Sequence, residues 1–434
     1  MTKGRKISII GGGMLGMSMA LNLKRKGYEV RVFEASENPG GLAKPWSING
    51  ITWDKFYHVI LMSDLNTRNL LKELGIANQL NWKETKTGFY TNGHLYSMSN
   101  TLEFLKFPPL GPIDKLRLGI TIFVASRIKN WKKLEGRYVA DWLKKWSGKR
   151  TFEKIWLPLL RAKLGESYRE TSAAFIWATI QRMYAARKSG LKKEMFGYVE
   201  GGYKTIINRL VGHLTERGVE IHTSHRLKEV VSQVNHHRLV FDNGNEQLAD
   251  TVIFTIPSTV IPKLWKAMPP DEKEKHKNIK YLGVCCTSVL LKKAISPYYV
   301  TNITENNIPF TGVIEMSSLV DKEHYDGHSL IYLPKYVDPG DAFFKKTDEE
   351  IHEQFKQTLI KMYPHIGEKD IIAMRTAKAP FVFALNTIRY SDNLPEVKSR
   401  VKGIYYANSA LITNGTLNVN ETLGIAHKIS HEYF

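Results

Sequence analysis

The stretch Lys6-Ile-Ser-Ile-Ile-Gly11-Gly-Gly13-Met-Leu-Gly16 constrains this chain more than any other: a β-forming run breaks into spaced glycines. Met17 to Lys26 then reads as a helix stopped by Gly27, and Tyr28 to Phe33 as a second strand closed by Glu34. A lone G-x-G-x-x-G is a weak signal. Set between a strand and a helix, it specifies a βαβ unit built for a dinucleotide. Gly11 permits the tight turn, Gly13 lets the backbone approach a pyrophosphate, and Gly16 lets helix and strand pack closely. Met14 and Leu15 open the helix, where unpaired N–H groups and the dipole favour an anion. Glu34, with Ala35 beside it, is placed to accept hydrogen bonds from a ribose hydroxyl.

Further segments choose between nucleotides. Glu34 leads through Ala-Ser-Glu-Asn-Pro to a second glycine pair, Gly40-Gly41. Mid-chain, Gly197-Tyr-Val-Glu-Gly201-Gly202-Tyr203 precedes a helix from Lys204 to Arg217. Strands follow at Gly218 to His222, Leu227 to Val234 and Asp250 to Pro257. Strand-like runs at Gly283 to Leu291 and Ser329 to Pro334 and a charged helix from Asp348 to Met362 come next. Near the end, Gly403-Ile-Tyr-Tyr-Ala407-Asn408 leads to Leu417-Asn-Val-Asn-Glu-Thr-Leu-Gly424 and a last helix. An NAD enzyme would need neither the second glycine pair nor this closing segment.

On these residues the chain resembles the FAD-dependent superfamily of monoamine oxidases, protoporphyrinogen oxidases and phytoene-type desaturases. It is most similar to the protoporphyrinogen-oxidase-like branch. Gly11, Gly13, Gly16, Glu34, Gly40 and Gly41 match that superfamily's opening fingerprint in order. The resemblance implies an α/β, two-domain FAD-binding fold, Rossmann-type and glutathione-reductase-like. Its nucleotide domain would be discontinuous, 1–88, 198–285 and 392–434. A basic helical insert, 89–197, and a substrate-binding sheet and helix, 286–391, would complete it. FAD is the implied cofactor. Gly41 and Leu42 would lie along the flavin and its phosphates, and the main chain of Val230 would face the adenine. Asn408, Asn418 and Asn420 would stand at the pyrophosphate, ribityl chain and flavin edge. Two departures mark this chain: Leu42 stands where many relatives have Arg, with Lys44 nearby, and Asp54-Lys-Phe56 replaces an Asp-x-Gly.

Gly50 to Ile60 (GITWDKFYHVI) falls where the superfamily brings its chain beside the flavin. Read as one strand, it puts Asp54, Phe56 and His58 on one face and Trp53, Lys55 and Tyr57 on the other. His58 and Asp54 are then the candidate catalytic residues. The plainer alternatives are a structural histidine and an aspartate bound to Lys55 or to a main-chain amide. Phe56, Tyr57, Phe381, Phe383 and Tyr390 are candidates for the substrate wall, although isolated aromatics are commonly core. The expected chemistry is hydride removal from a C–N or C–C bond of an organic substrate, with oxygen or another acceptor reoxidising the flavin. The rival readings are a UDP-galactopyranose-mutase-like reaction without net redox and a non-catalytic escort protein resembling the GDP-dissociation inhibitors. No metal site is expected.

The net charge of +20 is uneven: Asp114 to Glu194 holds 20 Lys+Arg against 7 Asp+Glu. Within it, Leu118 to Ala125 is flanked by Lys115, Arg117, Arg127 and Lys129, and Trp131, Trp142, Trp146 and Trp156 follow. That combination suits a surface resting on anionic lipid; a helical subdomain with core tryptophans is the alternative. Nucleic acid is not expected, since no recognition module accompanies the charge. With no apolar run of roughly 18 residues, and adjacent Cys285 and Cys286 that make no disulfide framework, the expectation is a cytoplasmic protein. A peripheral seat on the membrane's inner face would follow from the basic block.

Overall fold

The computed structural model describes residues 6–186 and 194–434. Arg187, Lys188, Lys192 and Lys193 of the basic block lie outside the described residues.

A parallel five-stranded sheet organises the nucleotide end, in the spatial order Glu220–His222, Glu29–Phe33, Lys6–Ile10, Thr251–Phe254 and Ile404–Tyr406. Its strands come from three separated parts of the chain. Parallel strands are covered on both faces, so their residues alternate between two cores rather than between core and water. Ile7, Ile9 and Ile253 pack with the helices Met14–Arg25, Tyr203–Glu216 and Val419–Tyr433. Ile10, Val252, Phe254 and Tyr406 face the other way, onto Leu227, Val230, Phe241 and Trp265. The C-terminal helix is tied to the first βαβ unit by Lys26 Nζ on the Ser430 carbonyl at 2.7 Å.

The second large sheet has seven strands, from Ile371–Ala384 at one edge through Tyr281–Leu291 and Ser329–Val337 to His94–Ser97 at the other. Thr87–Thr91 joins it by parallel pairing with Val300–Ile303. The boundaries expected at 88/89 and 285/286 therefore cut through strands of this sheet. Tyr281–Leu291 is buried at every position, which leaves no polar break for a sequence reading to find. The boundary at 197/198 likewise divides Met195–Val199, which pairs with Leu80–Glu84.

The helical insert packs a core that also takes in Leu282, Phe383 and Leu385 from the sheet segments. Trp142 and Trp156 are buried in it, and Trp131 and Trp146 pack against it, so the tryptophans face inward instead of toward a lipid surface. The apolar exposure is on the helix Pro112–Arg127. Asp114, in its first turn, accepts from the Gly111 amide at 3.3 Å and from Thr151 Oγ1 at 3.1 Å. That anchor turns Leu118, Thr121 and Ala125 inward. Ile113, Leu116, Ile120 and Phe123 are left facing outward, beside the exposed Leu102 and Leu105 of Thr101–Lys106. Among the described residues no helix is long and apolar enough to cross a membrane.

Candidate active site

At the nucleotide end, two backbone segments close on each other. Gly11 has φ +113°, and a Cβ on Gly16 would stand 1.9 Å from the Gly11 carbonyl oxygen, so the helix can reach the strand only through glycine. The Gly40 amide donates to the Gly12 carbonyl at 2.8 Å. Gly41 lies so near that its Cβ would come 3.1 Å from Gly13 Cα. The helix Met14–Arg25 starts with no side-chain cap and no acid in its first turn, which leaves its N-terminal N–H groups and positive dipole end for an anion. Glu34 is locked in place: one carboxylate oxygen accepts from the Gly12 amide at 2.8 Å, the other from the Ser36 amide at 2.9 Å and hydroxyl at 2.7 Å. A carboxylate has about four acceptor positions and three are taken, so one remains for a ribose, on the oxygen that accepts from Gly12.

The stretch from Gly50 to Ile60 is not one strand. Ile51–Asp54 pairs with Pro45–Ile48 in a hairpin, and after Asp54 the chain turns and re-enters a sheet only at Ile60–Leu61. The alternation expected through His58 therefore fails. Asp54 is buried and accepts from the Tyr203 amide at 2.8 Å. It caps the helix Tyr203–Glu216 from another part of the chain, against Gly202, whose φ of +68° and missing Cβ leave room for the carboxylate. Burial raises the Asp54 carboxyl to about 8, with the Tyr203 hydrogen bond opposing it. His58 Nδ1 lies 2.9 Å from the Phe56 carbonyl. Nδ1 must therefore carry the hydrogen, and Nε2 keeps a bare lone pair. Burial lowers His58 to about 4, so the ring is neutral near pH 7. A cavity of about 10 Å³, room for one water, lies between Asp54, His58, Gly202 and Tyr203.

Tyr57, expected to point away, instead reaches the large sheet: its hydroxyl lies 2.8 Å from that of Tyr336. Burial pushes the Tyr57 phenol to about 12. The Tyr332 hydroxyl donates to the Asp54 carbonyl at 2.5 Å and fixes the turn from below. Phe383 packs edge-on to Tyr336, with centroids 5.9 Å apart. Phe381 and Tyr390 do not join this group. They belong to a separate cluster with Tyr281 and Ala410, where Tyr390 donates to the Ala410 carbonyl at 2.8 Å. A bulge in the pairing between Leu282 and Val284 explains how Phe381 and Phe383, two residues apart, enter different clusters. Sequence reasoning missed Tyr332 and Tyr336. Nothing local distinguishes them from other strand tyrosines.

Residues 15–417 match the family model for flavin containing amine oxidoreductase. The chain belongs to that family. Its cofactor is FAD, and the coarse activity of the family is FAD-dependent oxidoreduction. Among curated proteins, it is 23% identical to the 15-cis-phytoene desaturase of Capsicum annuum over 84% of this chain and 65% of that one. It is 22% identical to the zeta-carotene desaturase of a Synechocystis species, over 84% of this chain and 83% of that one. Among solved structures, a putative protoporphyrinogen oxidase from Exiguobacterium superposes with TM-score 0.77 at 18% identity, over 99% of this chain and 98% of that one. At that identity the likeness concerns the fold.

In this flavin amine oxidoreductase the glycine cradle fits FAD. Gly13 and Gly41, with Leu42 in the turn Gly41–Ala43, would border the pyrophosphate, Met14 and Leu15 would offer it the helix N-terminus, and Glu34 with Ala35 would meet the ribose. Val230 lies on the edge strand of a three-stranded sheet beside this unit. Asn418 caps the C-terminal helix through the Glu421 amide at 3.0 Å. The other two expected asparagines likewise have structural partners. Asn408 accepts from the Ala410 amide at 3.0 Å and donates to Ser258 Oγ at 3.2 Å. Asn420 accepts from the amides of Asn66, at 2.8 Å, and Thr67, at 3.3 Å. These side chains hold the loops that shape the site.

Proposed function

We propose that this enzyme removes a hydride from a C–C or C–N bond of a lipophilic organic substrate held between the Lys55–Val59 turn and the seven-stranded sheet. The observation carrying this reading is the convergence of Tyr57, Tyr336 and Phe383, from three chain segments, at one junction, with His58 next to Tyr57 in the turn and its ring against Tyr203. FAD, when bound, supplies the hydride acceptor. The aromatic rings exclude water and orient an apolar substrate. Introducing a C=C bond also releases a proton, and the bare Nε2 of neutral His58 is the acceptor this geometry offers. The tyrosine hydroxyls stay protonated at neutral pH and serve as donors. Anaerobic mixing of the FAD-loaded enzyme with lipophilic alkene and amine donors should bleach its visible flavin absorbance, and oxygen or a quinone should restore it. Turnover that requires prior flavin reduction, without bleaching by any donor, would replace this reading with a transformation lacking net redox.

The same reading includes work at an anionic membrane surface. Its support is the outward row Ile113, Leu116, Ile120 and Phe123 with Leu102 and Leu105. Exposed cations rim the row, among them Arg127, which lies over the Phe123 ring at 4.8 Å. Apolar side chains with basic neighbours match the interface of an anionic bilayer. The protein should float with vesicles containing phosphatidylserine at low salt, and the double variant I120S/F123S should stay in the pellet. Equal flotation of both proteins, or concentration-dependent dimerisation that the substitutions abolish, would assign the face to something other than lipid.

A further inference from the structure

Lys163 stands in the helix Leu157–Leu164 of the basic insert. Its Nζ lies 3.4 Å from the ring centroid of Tyr336 and 5.2 Å from that of Phe383. Most cations of the insert are on the surface, but this one sits in the interior with no carboxylate or carbonyl partner among the described residues. Burial alone lowers its amine, to about 7, and no neighbouring charge opposes the shift. The residue nevertheless keeps part of its surface, as do Tyr57, His58 and Tyr336. These side chains are deep without being sealed. Phe383 connects Lys163 to an apolar cluster that includes Leu164, Phe175, Leu282 and Leu385, with Leu417 against it.

A buried ammonium without a counter-ion costs several kcal/mol after relaxation. The rings of Tyr336 and Phe383 return roughly 0.5–2 kcal/mol of that as cation–π attraction. A pure hydrocarbon entering this junction would displace water and worsen the deficit. An acid would remove it, by pairing with the ammonium while a tyrosine hydroxyl donates to its second oxygen. We propose that Lys163 is the anchor for a carboxylate on the substrate, so that the enzyme acts on a lipophilic carboxylic acid. The acid group docks at Lys163 beside the Tyr57–Tyr336 hydroxyl pair, and the apolar remainder lies toward His58. Lys163 is thus a specificity-determining residue, and this assignment rests on the proposed reading that the junction receives substrate.

The probe is oleate against methyl oleate, titrated by calorimetry into the FAD-loaded enzyme below the micellar range. The wild type should bind the acid at least about tenfold more tightly than the ester, a single charged pair being worth that much. In Lys163→Met the preference should vanish while FAD uptake holds and Tm stays the same or rises, the buried charge being gone, and Lys163→Arg should retain most of it. Equal affinity for acid and ester in the wild type, absence of binding by either, or a preference that survives in Lys163→Met would each overturn the assignment. Should Lys163→Met fail to fold, Lys163→Gln gives the same comparison. Because binding is measured without turnover, a flavin that no donor reduces would fault the oxidoreductase reading and leave this result standing by itself.

Discussion

Asp54 shows how burial changes the meaning of a residue. As a strand residue near a flavin it reads as an acid or base, yet its carboxylate caps a helix by accepting from the Tyr203 amide. Its folded pKa is about 8, against 3.8 for a free aspartate. Between those values the unfolded chain has lost a proton that the folded chain keeps, so this residue's contribution to stability falls as pH rises through the window. Asp54→Asn keeps an oxygen for the Tyr203 amide and cannot ionise. It should raise Tm relative to wild type at about pH 8.5, by about 2–4 °C for each kcal/mol recovered in a domain-sized unit, and change it little at about pH 5. Thermal melts at both values check this; an equal loss of Tm at both would mean that the cap works as an anion. A main-chain amide was one of the partners the sequence allowed for Asp54, but which amide was not legible. Its partner is 149 positions away, and no local pattern reports such a distance.

The glycine-rich turn is the element whose function could be read directly, because the requirement for glycine is local and steric. Even there the glycines differ. At Gly16 an added Cβ collides with the Gly11 carbonyl at 1.9 Å, whereas at Gly13 its nearest contact is an ordinary 3.8 Å. Gly16→Ala should therefore misfold or melt well below wild type. Gly13→Ala should fold with about the Tm of the wild-type apoprotein and purify without FAD, its methyl group occupying the space for the pyrophosphate. Far-UV circular dichroism and flavin content separate the two outcomes. The helix Asp348–Met362 was equally readable, with the capping box of Thr347 and Glu350 at its start. The turn after Asp54 was not. It is held by the Lys55 amide on the Lys44 carbonyl, by Tyr57 on Tyr336 and by Tyr332 on Asp54. Two of those three contacts are made with a sheet strand encoded far along the chain, and β-rich local sequence gave no hint of them.

At the scale of the molecule, the residues expected to meet FAD come from both ends of the chain: the turn at Gly11–Gly16, Glu34, Gly41 and the segment around Asn418. A ligand that touches all of them binds the folded state and not the unfolded one, and stabilises it by about 2.7 kcal/mol at a hundredfold excess over Kd. Apoprotein should accordingly melt at a temperature that climbs with FAD concentration, and Gly13→Ala should show no such climb in differential scanning fluorimetry. What the sequence by itself determined was the nucleotide unit, the family and the cofactor. The unit depends on glycine sterics, helix ends and hydrophobic periods that act within a few residues; the family and the cofactor came through the resemblance those residues carry. Only the tertiary structure decided which aromatics meet, which way the basic helix turns its apolar face, and that Lys163 lies beside Tyr336 with no carboxylate partner among the described residues. Those depend on packing between segments more than a hundred residues apart, where burial and the lack of a partner, rather than residue type, set the chemistry.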